Sequence, residues 1–175
     1  MIETERLVLR PPMDDDRPAV AAINGDPEVG AWLASVLTRE ESDAMIDRVL
    51  AHIDEHGFGF WVAERKADRS VIGLIGLIAM GEDLPPGPAI EAAWRLSPAA
   101  WGQGYATEGA RVVVDWALDD LHAPEVVAIT ARSNLRSQAV MRRIGMVAEP
   151  SRDFDPPRLA QDHPLRPHVT FSARR

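Results

Sequence analysis

Pro98-Ala99-Ala100-Trp101-Gly102-Gln103-Gly104-Tyr105-Ala106-Thr107-Glu108 sets two glycines just ahead of a run whose apolar residues, Ala110, Val113, Val114, Ala117, Leu118 and Leu121, follow helical spacing. Ile90 to Leu96, immediately upstream, is an apolar stretch of strand length. The segment therefore reads as strand, glycine turn, helix. The start of a helix leaves backbone N–H groups without partners and carries about half a positive charge. Glycines at that point let a phosphate approach the backbone closely. Gly102 and Gly104 suit that task, although a tight connection with no ligand uses the same residues, so the surroundings must decide.

Two other phosphate-binding readings fail on spacing. A dinucleotide fingerprint needs a third glycine where this chain has Thr107, and an acid at the end of the next strand. Glu125 stands instead ahead of the next apolar run, Val126 to Ala131, and four expected strands precede the motif. The Gly-x-x-x-x-Gly-Lys-Ser/Thr loop of nucleotide triphosphate sites is absent.

Working outward, Leu7 to Leu9 predicts a first strand closed by Pro11-Pro12, and Asp14 to Asp16 offer an N-cap to a helix ending at Gly25. Asp26-Pro27 starts a short helical turn through Trp32. Thr38-Arg39-Glu40-Glu41 is a capping box for a longer helix that Gly57 stops. Phe58 to Glu64 and Val71 to Ile78 read as a hairpin of strands two and three, and Met80 to Pro88 as a loop. Beyond the fifth strand, Asn134 opens a helix to Ile144 that Gly145 can end. Met146-Val147 starts a sixth strand, Pro150 to Pro167 forms a Pro- and Asp-rich loop, and His168 to Ala173 reads as the last strand.

At 175 residues the chain suits one domain, residues 1–175, and no apolar run approaches the ~20 residues of a membrane span. No cysteine is present, and the N-terminus lacks a secretory layout, so a cytoplasmic protein with no membrane partner is expected. A net charge of −8 opposes general nucleic-acid binding and would draw cationic amines from solution. A monomer or homodimer is expected.

The motif Pro98-x-x-Trp101-Gly102-Gln103-Gly104-Tyr105-Ala106-Thr107-Glu108 resembles the pyrophosphate-binding motif of GNAT N-acetyltransferases, in the form found in the branch that includes the ribosomal-protein N-terminal acetylases. The similarity runs nearly end to end, through Thr4-Glu5-Arg6-Leu7-Val8-Leu9-Arg10, Asp26-Pro27-Glu28-Val29, Gly57-Phe58-Gly59-Phe60-Trp61, Ile72 to Leu77, Glu91 to Leu96 and Asn134-x-x-Ser137. It implies an α/β (α+β) GNAT fold: a mixed, strongly twisted sheet of about seven strands, splayed after the fourth and flanked by helices. Acetyl-CoA would lie in the opening, with its pantetheine on the backbone of Trp94, Arg95 and Leu96. Its pyrophosphate would lie on Gly102, Gln103, Gly104, Tyr105, Ala106 and Thr107. The function implied is acetyl transfer to a primary amine of a peptide or small molecule, without a metal. A non-catalytic acyl-CoA sensor and a user of longer acyl donors are the alternatives. The chain departs from the family pattern at Trp101, where Arg or Gln is usual, and at Ala93-Trp94, where Gly-Trp is frequent.

Transfer needs a neutral amine, a polarised thioester carbonyl and a thiolate that can leave. Glu91 matches an acid frequent in the branch and is the candidate general base; a salt bridge at the strand end is the plainer reading. Asn134 and Ser137 lie one helical turn apart, so Asn134 is a cofactor contact, an N-cap, or both. The family's usual general-acid Tyr is Met141 here, which leaves Ser137 as the candidate acid. Trp32, Trp94 and His168 are the candidates for the acceptor pocket, between loops 32–38 and 154–165. Phe58, Phe60 and Trp61 are further aromatics for that pocket, although aromatics on strands are more often core. His52 and His56 are four apart on one helix, a spacing that permits metal ligation, but no third ligand is apparent and a solvated helix end is expected.

Overall fold

The computed structural model describes residues 1–33, 35–82, 84 and 86–175. Ala34, in the expected acceptor loop, and Asp83 and Pro85, in the expected 80–88 loop, lie outside the described residues. The strands are β1 (Ile2–Glu3), β2 (Leu7–Arg10), β3 (Phe60–Arg65), β4 (Ser70–Met80), β5 (Ala89–Leu96), β6 (Glu125–Ala131), β7 (Val147–Ala148) and β8 (His168–Arg174). They form one sheet in the order β1-β2-β3-β4-β5-β6-β8-β7. Every neighbouring pair is antiparallel except β5 and β6. The sheet is mixed, with eight strands where about seven were expected. The addition is β1, whose two residues pair with Val8 and Leu9 and are too few to show a period.

Helices α1 (Arg17–Asn24), α2 (Pro27–Gly30) and α3 (Arg39–His56) follow β2, α4 (Tyr105–Asp119) joins β5 to β6, and α5 (Leu135–Arg143) follows β6. Alternation gives the sheet two apolar faces. On one face Val20 of α1 and Ile46 of α3 cluster with Phe60, Val62 and Leu74. On the other, Ala110, Val113, Val114 and Ala117 of α4 and Met141 of α5 cluster with Leu7, Ile75, Leu77 and Ala92. Phe58 and Trp61 join that second core, where Trp61 meets Trp116 edge-on at 5.5 Å.

The expected helix signals hold at α2 and α3. Asp26 accepts from the amides of Glu28 and Val29, and Thr38 and Glu41 exchange the two bonds of a capping box. Gly57 ends α3 at φ 77°, a left-handed position that favours glycine. Asp14 to Asp16 differ from expectation, since no aspartate side chain caps α1. Asp14–Asp16 form a 3₁₀ turn, and Asp16 is a buried ion-pair partner of Arg10, whose guanidinium meets it at 2.6 and 2.9 Å and Glu64 at 2.9 Å. The cation from β2 overrode the local cap.

His52 also differs from a solvated helix end. Its Nδ1 lies 3.0 Å from the carbonyl oxygen of Phe58, and its Nε2 accepts from the amide of Ala79 at 2.9 Å. The ring therefore bridges the end of α3 to β4. Among the described residues no group of three His, Cys, Asp or Glu side chains is placed to hold a metal ion, and no helix is long and apolar enough to cross a membrane.

Candidate active site

The sheet opens between β5 and β6. They pair only at Ile90↔Val126 and Glu91↔Val127, after which β5 continues to Leu96 and β6 to Ala131 without pairing to each other. Backbone register shows what this leaves free. The amide of Ser97 donates to Ile72 O at 2.9 Å, which extends the ladder running through Arg95↔Leu74 and Ala93↔Gly76. Odd-numbered residues of β5 thus turn their backbone groups to β4 and even-numbered ones away from it; the pairing with Val127 takes up the Ala92 amide and the Trp101 indole takes up Leu96 O, which leaves Ala92 O, both groups of Trp94 and the Leu96 amide to the opening. On β6 the amide of Arg132 donates to Pro167 O at 2.7 Å, so even-numbered residues face β8 and Ile129 and Ala131 face the opening. Two strand edges of unpaired donors and acceptors thereby line a cleft of about 1530 Å³.

The glycine turn sits at the end of that cleft. Gly102 and Gly104 have φ of 73° and 86°, and Gly104 leads into α4 with no side-chain cap. Among the described residues nothing accepts from the amides of residues 102 to 107; the first amide of the stretch with an internal acceptor is that of Glu108, to Gly104 O at 3.0 Å. Six successive N–H groups are left for an anion. Arg6 braces the turn from β2's side, donating to Gln103 O at 3.0 Å and to the Glu108 carboxylate at 2.6 Å, with its guanidinium 4.5 Å from the centre of the Tyr105 ring.

Trp94, Arg95, Leu96, Gly102, Gly104, Tyr105, Ala106, Thr107 and Asn134 all line the cleft. Gln103 does not; its side chain turns back to donate to Ala99 O at 2.6 Å. Asn134 is the N-cap of α5, accepting from the Ser137 amide at 3.1 Å. The Ser137 hydroxyl lines the cleft and has no hydrogen-bond partner among the described residues. Trp101 does not turn its indole to the amides of the turn: the ring N–H donates to Leu96 O at 2.8 Å, and the Arg136 guanidinium stacks over the ring at 5.1 Å.

Glu91 is the last residue of β5 before the sheet parts. Its side chain shares a face with Ala93 and Arg95, the face covered by α1 and α3. No described group donates a hydrogen bond to its carboxylate. Burial pushes its pKa up to about 7, and the charge of Arg158 offsets only part of that. Trp94 lies on the opposite face, among side chains packed toward α4, so alternation separates it from Glu91 along the strand. Trp32 (37% exposed) and His168 (8%) both reach the cleft. His168 begins β8, its Nδ1 3.2 Å from Arg166 O, and burial pushes its imidazole below the usual value.

Arg158, on the Glu91 side beside Phe60, and Arg6, behind the turn, line the cleft without having been singled out in the sequence. Arg6 carried a signal, because it lies in a stretch that matches the family pattern. Arg158 carried none, being in a Pro- and Asp-rich loop without periodicity.

Residues 6–147 match the sequence profile of the family described as acetyltransferase (GNAT) domain. Among curated proteins, the FsC-acetyl coenzyme A-N(2)-transacetylase of Aspergillus fumigatus is 32% identical over 83% of this chain and 64% of its own length, so the chain spans just under two thirds of that relative. Among solved structures, an acetyltransferase from Agrobacterium tumefaciens (26% identity) superposes with a TM-score of 0.80 over 99% of this chain and 94% of its own. The ribosomal-protein-S5-alanine acetyltransferase of Vibrio fischeri (18% identity) gives 0.76 over 99% and 95%, a likeness of fold. With its eight-stranded mixed sheet open after β5, the chain belongs to the GNAT acetyltransferase family.

Proposed function

We propose that the protein moves the acetyl group of acetyl-CoA directly onto a primary amine of a small molecule or peptide, in a complex holding both substrates. The observation that carries this reading is the continuity between the free backbone edges of β5 and β6 and the six unpaired amides of residues 102–107. A ligand with a diphosphate at one end and an amide-bearing arm behind it meets donors and acceptors along its whole length. Acetyl-CoA has that layout, and its thioester supplies the activated acetyl group.

The residues then take distinct parts. The amides of Gly102 to Thr107 bind the diphosphate. Ala92, Trp94 and Ile129 hold the arm by backbone, as an added strand would be held. The amide of Leu96, free by register, donates to the thioester oxygen as negative charge builds there. Glu91, near neutrality in its titration, removes the proton of the attacking amine. The new C–N bond forms as the C–S bond breaks, and Ser137 Oγ gives its proton to the departing sulfur and recovers one from water. Placement in the branch of the ribosomal-protein N-terminal acetylases is supported by the form of the motif and by the likeness of fold to the Vibrio fischeri enzyme.

Thiol release from acetyl-CoA across peptides and small amines, with binding of CoA followed by calorimetry, tests the reading. Acetyl-CoA-dependent release with at least one amine class is the expected result. Tight CoA binding without turnover of any amine would replace it with an acyl-CoA sensor, and faster release from longer acyl-CoAs would reassign the donor.

A further inference from the structure

The end of the cleft on the Glu91 side is apolar in its walls and carries two guanidiniums without a bonded carboxylate. Trp32, Leu33, Phe60, Ile78, Leu159 and Leu165 supply the apolar surface. The charged side chains lining the cleft with these residues are Glu28, one helical turn before Trp32, and Glu91, Arg95 and Arg158. Arg95 donates to Asn24 Oδ1 at 2.6 Å and to Met45 Sδ at 3.3 Å, both uncharged, and its Nε is buried with no partner. Arg158 is exposed to the cleft and makes neither an ion pair nor a hydrogen bond with any described residue. Its loop is nonetheless fastened: the Arg166 guanidinium donates to Leu159 O at 2.6 Å and to the Asp155 carboxylate at 3.3 Å, and Leu165 is buried. Arg158 is therefore held at the cleft wall with no bonded partner, close enough to Glu91 for its charge to act on that carboxylate.

Among the described residues neither Arg95 nor Arg158 forms an ion pair within 4 Å, Glu28 is exposed to solvent, and once Glu91 has taken up the amine's proton both guanidiniums stand without a bonded carboxylate. A polyamine would add further cations to that field, whereas a carboxylate on the acceptor would balance it. The overall charge of −8 gathers cations from a distance, but contacts at a few ångströms decide which acceptor is held. We propose that the acceptor is a small amine of the amino-acid type, with an apolar body and a carboxylate, and that Arg158 binds this carboxylate while Glu91 faces the amine. This rests on the acyltransferase reading above.

The test measures thiol release with phenylalanine, methionine and leucine, each beside its amide and its decarboxylated amine, and with spermidine, while calorimetry follows acetyl-CoA binding. The acids are expected to exceed their amides and amines in kcat/KM by roughly tenfold to a hundredfold, mostly through KM. Arg158→Gln is expected to erase that ratio, and Arg158→Lys to retain part of it. A preference for spermidine or for the amides, or a ratio that survives Arg158→Gln, overturns the proposal and leaves the acyltransferase reading standing. Acetyl-CoA binding with no acceptor consumed, or no binding at all, removes that reading and the proposal together.

Discussion

The indole N–H of Trp101 donates to the carbonyl oxygen of Leu96 across 2.8 Å and so fastens the glycine turn to the open end of β5. Trp101→Phe keeps an aromatic ring and deletes only this donor. Loss of one such bond is worth about 1 kcal/mol. The expected effect is a rise of roughly threefold to tenfold in the acetyl-CoA dissociation constant, with a smaller change in kcat. Calorimetry with CoA measures it, and unchanged affinity would mean that the turn keeps its shape without the tie.

Glu91 should govern both rate and stability through pH. Burial raises its carboxyl to about 7, so the ionised, proton-accepting form accumulates as pH climbs through that value and kcat/KM should climb with it. Glu91→Gln should remove this limb and lower kcat/KM by roughly 10²- to 10⁴-fold. An acid whose folded value lies above its unfolded one costs stability once pH exceeds the unfolded value. Glu91→Gln should therefore melt higher than the parent at pH 8 and like it at pH 4; the reverse order would contradict the burial assigned to this carboxylate. Arg158→Gln, which removes the offsetting charge, should move the limb to higher pH.

Glu108 gathers Thr4 Oγ1 at 2.6 Å, the Arg6 amide at 2.7 Å and Arg6 Nε at 2.6 Å on one carboxylate with 16% of its side chain exposed. Desolvation pushes this carboxyl up, but the bonds from Thr4 and Arg6 outweigh it and the net shift is downward. A lowered folded value adds stability above the unfolded value of 4.5, and that stability is lost as pH falls through the folded value. Glu108→Gln should cost about 1–3 kcal/mol at pH 7 and flatten the acid side of the Tm profile. Equal slopes below pH 4.5 for parent and variant would remove this carboxylate from the account of acid stability.

Ser137→Ala separates an assisted departure of the thiol from an unassisted one. Because Asn134 caps α5 through the Ser137 amide and not its hydroxyl, the helix should keep its start in the variant. A fall in kcat of about tenfold, with acetyl-CoA affinity held, is expected if the hydroxyl delivers the proton. An unchanged kcat assigns that proton to water.

Legibility in the sequence followed the range of the interaction. The turn at Gly102 to Gly104, the capping box of Thr38 and Glu41 and the left-handed stop at Gly57 are local, and each stands where the residues indicated. Asp16 reads locally as a cap because nothing nearby announces Arg10 and Glu64, which the sheet brings to it. Trp94 lines the cleft, and its odd separation from Glu91 on a strand already places the two side chains on opposite faces. The free amides of 102–107 and the open backbone of Ala92 and Trp94 depend on what does not pair in three dimensions, which no residue type encodes. The roles of His52 and Arg158 were invisible for a related reason, since a backbone bridge and an unbonded cation at a cleft wall leave no period and no motif.

Two residue pairs, Ile90 with Val126 and Glu91 with Val127, are all that stitch β5 to β6. A cosubstrate lying along the gap would then serve as an interior rung, and the molecule would be mechanically whole only while loaded. Amide deuteration at Trp94, Leu96 and Ile129 would slow on loading and quicken on product release, and the melting point would climb with the logarithm of cosubstrate concentration. Each turnover would in this sense complete the scaffold and dismantle it again.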